Sequence, residues 1–130
     1  LYLPNVANSA EMNAISRRLS GEDAFNRALD YLNKNYAENI TLDVLADYAG
    51  FSRYTLSRMF SQHTGATFIQ YLNARRVDMA AEMLSQSDLP VTQVALRVGF
   101  GSIATFNRVF RTQKGCTPSQ YRNVYLQLKK

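Results

Sequence analysis

Apolar positions recur at helical spacing from about residue 21 onward, while residues 1–20 show no sustained period and have the look of a tether. Residues 20–23 resemble a capping signal that opens a helix. Phe25, Ala28, Leu29, Leu32 and Tyr36 follow at i, i+3, i+4, i+7 and i+11, one face of that helix. Asn39 and Thr41 mark a break. Thr41 is placed to cap a short helix with Leu42, Leu45, Ala46 and Ala49 inward, stopping at Gly50. Ser52 is the expected N-cap of the next helix, with Leu56, Met59, Phe60 and His63 as its inward stripe and Gly65 as its end. Thr67 and Gln70 are spaced as a capping box and start a helix without Gly or Pro to about Leu84. Its length is roughly 27 Å at 1.5 Å per residue. Its apolar positions (Ile69, Leu72, Val77, Ala80, Ala81, Met83, Leu84) cover more than one face, as suits a connector packed on two sides. Residues 85–88 form a turn, and Pro90 suits the first turn of a new helix.

The chain then repeats itself. Leu45, Ala46, Gly50 and Phe51 match Val94, Ala95, Gly99 and Phe100 at an offset of 49. After one inserted residue the offset becomes 50, and Leu56, Arg58, Phe60, Gly65, Thr67, Gln70 and Tyr71 match Phe106, Arg108, Phe110, Gly115, Thr117, Gln120 and Tyr121. Two copies of one supersecondary unit are therefore expected. Each copy is a short helix, a tight Gly-containing turn and a second helix, which is the pattern of a helix-turn-helix. A plain αα-hairpin is the competing reading.

The outer face of each second helix separates the two readings. In the first copy Tyr54, Ser57, Arg58 and Ser61 form a stripe with no acid. In the second copy Phe106, Val109 and Phe110 point inward, while Ala104, Asn107, Arg108 and Arg111 point outward, again with no acid. A solvated face would mix Glu with Lys. Arg pairs bidentately with guanine and Asn with adenine, and small apolar groups touch the thymine methyl. Arg58 and Arg108 are thus candidate base readers, the alternative being internal ion pairs.

Charge sharpens this picture. The net charge is +5, but all ten acids lie at or before Asp88. Residues 1–88 carry eight Lys/Arg against ten acids, and residues 89–130 carry seven Lys/Arg and no acid. A basic half attracts a polyanion, although a solvated basic surface has the same composition. No run is long and apolar enough for a membrane span, and the start lacks the regions of a signal peptide. The first residue is not Met, so a piece of a longer chain is expected. The single cysteine, Cys116, excludes an internal disulfide and any Cys-based zinc site, and fits a cytoplasmic setting. His63, the only histidine, has no partner at metal spacing. Neither a cofactor fingerprint nor a nucleophile–base motif is present, so neither a cofactor nor an enzyme activity is expected.

The run from Gly99 to Arg122 resembles the C-terminal signature of AraC/XylS-type transcription regulators. It carries Gly99-Phe100, Phe106, Arg108 and Phe110 at alternate positions, then Gly115, Thr117-Pro118 and Tyr121-Arg122. Residues 52–60, Gly65, Tyr71, Arg75-Arg76 and Ala80 are similar to that family's first helix-turn-helix and linker helix. The resemblance covers about residues 22–126. It implies an all-α fold of about seven helices, with two homeodomain-like helix-turn-helix subdomains joined by a long linker helix. The boundaries expected are tether 1–20, first subdomain 21–66, linker 67–85 and second subdomain 86–130. Recognition helices at about 52–64 and 102–113 would enter adjacent major-groove segments of double-stranded DNA. The expected DNA contacts are Arg53, Tyr54, Ser57, Arg58 and Ser61 in the first unit. In the second they are Ile103, Ala104, Thr105, Asn107, Arg108 and Arg111. Ile103 and Ala104 stand where relatives often carry polar residues, so contact with thymine methyls is the readout expected there. The resemblance also implies an effector-binding N-terminal domain and RNA polymerase as partners, with no membrane. A helical protein-interaction module is the alternative function.

Overall fold

The computed structural model describes residues 9–128, with only the backbone for residues 9–20 apart from Met12. Among these residues there are seven helices and no strand. They are α1 (Ser9–Lys34), α2 (Leu42–Ala49), α3 (Arg53–Thr64), α4 (Phe68–Gln86), α5 (Val91–Arg97), α6 (Ile103–Lys114) and α7 (Pro118–Leu128). Residues 1–8 of the expected tether lie outside the described residues. The helix start expected near Ser20 is corrected to Ser9, so Ser20 and Gly21 lie inside α1. Residues 9–20 contain Ala, Glu, Met, Arg and Leu and no Pro, which is enough helix propensity without one apolar stripe. An interior glycine such as Gly21 costs only about 1 kcal/mol, too little to end the helix.

The caps expected at Thr41, Ser52 and Thr67 form, and Ser102 adds one that was not expected. Thr41 accepts from Val44 N–H at 3.1 Å, and Ser52 accepts from Thr55 N–H at 3.1 Å. Ser102 accepts from Thr105 N–H at 3.3 Å. In the Thr67 capping box, Gln70 N–H donates to Thr67 Oγ1 and Thr67 N–H donates to Gln70 Oε1. The same reciprocal pair recurs between Thr117 and Gln120. Pro90 sits one place earlier than expected, at the N-cap of α5 rather than in its first turn.

Two cores form, one for each copy of the repeat. The first buries Phe25, Leu32, Leu45, Ala46, Leu56 and Phe60 between α1, α2 and α3. The second buries Val94, Ala95, Val98, Phe106 and Phe110 between α5 and α6. Helix α4 serves both, contributing Phe68 and Leu72 to the first and Val77, Ala80, Ala81 and Leu84 to the second. This division explains apolar positions on more than one face. Ile69, expected among the packed positions of α4, is instead 57% exposed. The α4 stripe begins at Phe68 and Leu72, which turns Ile69 outward. His63 is likewise exposed, at the rim of its expected stripe, where its ring stacks on Phe25 with centroids 5.0 Å apart.

The repeat is kept in three dimensions. Phe51 N–H donates to Ala46 O at 2.9 Å, and Phe100 N–H donates to Ala95 O at 3.0 Å. The Phe60 and Tyr71 rings meet at 5.7 Å, and those of Phe110 and Tyr121 at 5.6 Å. Helices α3 and α6 each have twelve residues, a Ser N-cap and a left-handed glycine after the last turn. Each unit is thus a second helix fixed on a small core by the same contacts, with one face left over.

Candidate nucleic-acid interface

Helix α3 buries Leu56 and Phe60, so the geometry of a helix exposes the opposite side. Tyr54, Ser57, Arg58 and Ser61 are exposed there, and Arg53 is exposed in the first turn, beside the groove described below. The Arg58 guanidinium stacks on the Tyr54 ring, 5.6 Å from its centre, which holds both side chains on one patch. Arg53 reaches Asp43 at 3.4 Å across an exposed pair. Such a pair is worth about 0–1 kcal/mol, so it leaves Arg53 free to exchange partners.

Helix α6 buries Phe106, Val109 and Phe110 and exposes Ala104, Asn107, Arg108 and Arg111. Thr105 is half-buried beneath the Ser102 cap. Ile103 is also half-buried and packs against the second core, so its side chain is largely committed inward. Among the described residues neither Arg58 nor Arg108 takes part in an ion pair, which removes the internal-pair alternative for both. Lys114, in the last turn of α6, donates to Asp78 of α4 at 3.0 Å and ties the helix to the connector.

A groove runs beside each of these helices: about 880 Å³ beside α3, reaching across to Leu96, Gly99 and Phe100 of the second unit, and about 910 Å³ beside α6. The two grooves share part of their walls through the repeat. Leu42, Arg53, Ser57, Thr67, Phe68 and Ile69 line the first, and their repeat equivalents Val91, Ile103, Asn107, Thr117, Pro118 and Ser119 line the second. No Asp or Glu lines either one. Arg53 is the basic side chain that the first groove offers, Arg76 at its wall being engaged by protein carbonyls, and Arg108 and Arg111 are those of the second. Exposed acids are carried by α1, α2 and α4 instead, among them Asp23, Asp30, Asp47, Asp78 and Glu82, and Asp43 reaches the groove only through its pair with Arg53.

Sequence reasoning missed the groove walls. Thr92, Thr112, Thr117 and Ser119 bring hydroxyls beside Asn107 and Arg108, but they come from three helices and share no single periodicity. The recurring capping box was the available signal. Its Thr67 and Thr117 mark the helix starts that close the two grooves. Sequence reasoning also missed what Arg76 does. Its Nε donates to Tyr36 O at 2.7 Å and its Nη2 to Glu38 O at 2.8 Å. Burial lowers its pKa from the ordinary arginine value, the expected direction for a cation withdrawn from water.

Among the described residues no helix is long and apolar enough to cross a membrane. No group of three or more His, Cys, Asp or Glu among them is placed to hold a metal ion. Cys116 is half-buried and free.

Two exposed, acid-free recognition faces on a pair of helix-turn-helix units define a class of DNA-binding domain, and comparison with known proteins agrees. Residues 45–123 match the helix-turn-helix domain family. A probable transcription factor of Proteus vulgaris, PqrA, is 34% identical over 103 residues, covering 78% of this chain and 84% of that protein. The DNA-binding domain of AdpA, a global transcriptional factor solved in complex with a target DNA, superposes with a TM-score of 0.75 at 34% identity. That match covers 78% of this chain and 91% of the other. An HTH-type transcriptional regulator of Staphylococcus aureus is 32% identical over 121 residues, which is 93% of this chain. The chain spans only 15% of that relative's length. The chain belongs to the AraC family of helix-turn-helix transcription regulators, whose common activity is sequence-specific binding of DNA and which is not an enzyme class.

Proposed function

We propose that α3 and α6 are the two recognition helices and that they enter neighbouring segments of the major groove on one face of the duplex. One observation supports this above the others. The exposed faces of α3 and α6 are related by the same offset as the sequence repeat, and so are six of the residues that wall the acid-free grooves beside them. Two equivalent surfaces fit a target that presents the same groove twice. In the first unit Tyr54, Ser57 and Arg58 meet base edges, with Arg53 and Ser61 nearer the backbone. In the second, Asn107 and Arg108 supply the hydrogen-bonding readout and Ala104 an apolar contact. Arg111, a turn further along, meets phosphate. Thr105 and Ile103 contribute less, since both are half-buried.

The partners of the full-length protein belong to the same proposal. They are double-stranded DNA, an N-terminal effector-binding domain and RNA polymerase. The relatives named above are bacterial proteins, and bacterial DNA lies in the cytoplasm, which is where this chain is proposed to act. The test is to select duplexes from a randomised pool with this chain and footprint the winners. Two protected major-groove segments about one helical turn, roughly 34 Å, apart are expected. Protection of a single segment, or selection of no preferred sequence, would count against the proposal.

A further inference from the structure

Two recognition helices are useful only if their separation and angle are fixed, and a single connecting helix is a narrow joint for that task. Arg76 lies in α4 where the helix passes from the first core to the second, between Leu72 and Val77. Its guanidinium donates to the carbonyls of Tyr36 and Glu38, in the segment between α1 and α2. The same guanidinium lies over the Phe100 ring, 5.8 Å from its centre, in the turn between α5 and α6. Gly99 presses into the same point. A Cβ there would stand 2.9 Å from Ala37 O and 2.9 Å from Arg76 Nε, and its φ of +105° already disfavours a side chain. Segments of both units thus meet around one planar cation. An arginine fork holds two carbonyls in a fixed direction, which a lysine ammonium does not.

We infer that Arg76 is a positioning residue for DNA recognition: it braces the first unit against the turn of the second and so sets the spacing at which α3 and α6 meet the duplex. The inference rests on the two-helix reading proposed above. Arg76 also lines the first groove, but two of its three nitrogens are spent on protein carbonyls. Its role is therefore to hold, and the bases are left to Arg58 and Arg108.

The test uses the duplex selected by the wild-type chain, the same duplex with one base pair inserted between half-sites, and each half-site alone. Arg76→Lys keeps the charge and loses the fork. It should bind the two-half-site duplex about tenfold or more weakly, because a looser joint lowers the effective concentration of the second helix. Each isolated half-site should be bound as by wild type. The penalty for the inserted base pair should shrink, and the salt slope should not change. Gly99→Ala, which wedges the same contact from the other side, should shrink the insertion penalty too, and it decides the matter if Arg76→Lys unfolds in a circular dichroism melt. Equal losses on half-sites and full site would overturn the inference, as would an unchanged insertion penalty. A fall of about one unit in salt slope would instead make Arg76 a phosphate contact and equally overturn it. A wild-type chain indifferent to the insertion would overturn the two-helix reading itself, and the brace with it.

Discussion

Arg108 and Arg111 lie on the same exposed face of α6, three residues apart, and the proposed geometry gives them different work. Arg108 is near the middle of the helix, where a long side chain reaches a base edge. Arg111 is in the last turn, where the helix leaves the groove and phosphates come near. Base contacts specify and phosphate contacts position. Arg108→Ala is therefore expected to cost about 1–3 kcal/mol on the selected site and to relax specificity at about one base pair. Arg111→Ala is expected to weaken binding to all duplexes alike and to lower the salt slope by about one unit. Titrations on selected and random duplexes at several salt concentrations check both, and equal losses on both duplexes for Arg108→Ala would reverse its assignment. At the start of α6 the packing narrows the apolar readout to Ala104, since Ile103 leans on the second core. Replacing each thymine of the second half-site by uracil removes only a methyl. A loss of affinity at one position facing Ala104 is expected, and no loss anywhere would end the idea of methyl readout.

At the scale of the element, α3 and α6 depend on their caps and on a few aromatic contacts. Ser52 and Ser102 each satisfy one N–H that the helix start would leave unpaired. Ser52→Ala and Ser102→Ala should each cost about 1 kcal/mol in urea unfolding, with no change of fold. Phe106 is fully buried and meets the rings of Phe100 and Phe110 at 5.3 and 5.6 Å. Phe106→Ala should cost about 3–5 kcal/mol, enough to loosen the second unit. If that loss spared DNA binding, α6 would not be the element held by this core. Element ends were legible because caps are local chemistry: Thr41, Ser52, Thr67 and Gly65 act on neighbours within a turn. The start of α1 was not, because residues 9–20 carry no single apolar stripe and form helix by propensity instead.

On the scale of the whole molecule, α4 sets the reach between the units. Its 19 residues span about 28 Å. Two major-groove segments on one face of straight DNA are roughly 34 Å apart. If α4 sets the separation of the recognition helices, straight DNA cannot seat both. For both units to seat, the duplex should bend. A bend of tens of degrees costs a few kcal/mol, within what a second set of contacts can offset. Circular-permutation gel shifts should therefore detect a bend. Unbent DNA with full base protection in both grooves would exclude this geometry.

The sequence by itself determined the parts: two copies of one unit, the helices and most of their ends, the acid-free faces of α3 and α6, and the family. All of these depend on residues within a few turns of each other, or on an offset that comparison along the chain reveals. Tertiary structure decided how the copies are joined. The carbonyls that Arg76 holds are 38 and 40 residues away, and the Phe100 ring it covers is 24 residues the other way. No periodicity links such distant positions. Ile69 and Ile103 were decided in the same way. Both are apolar residues at a helix start and both line a groove, yet Ile69 stays exposed while Ile103 also leans on a core. Side-chain type sets what a residue gains from burial, but only the arrangement of the neighbouring helices sets whether burial is available to it.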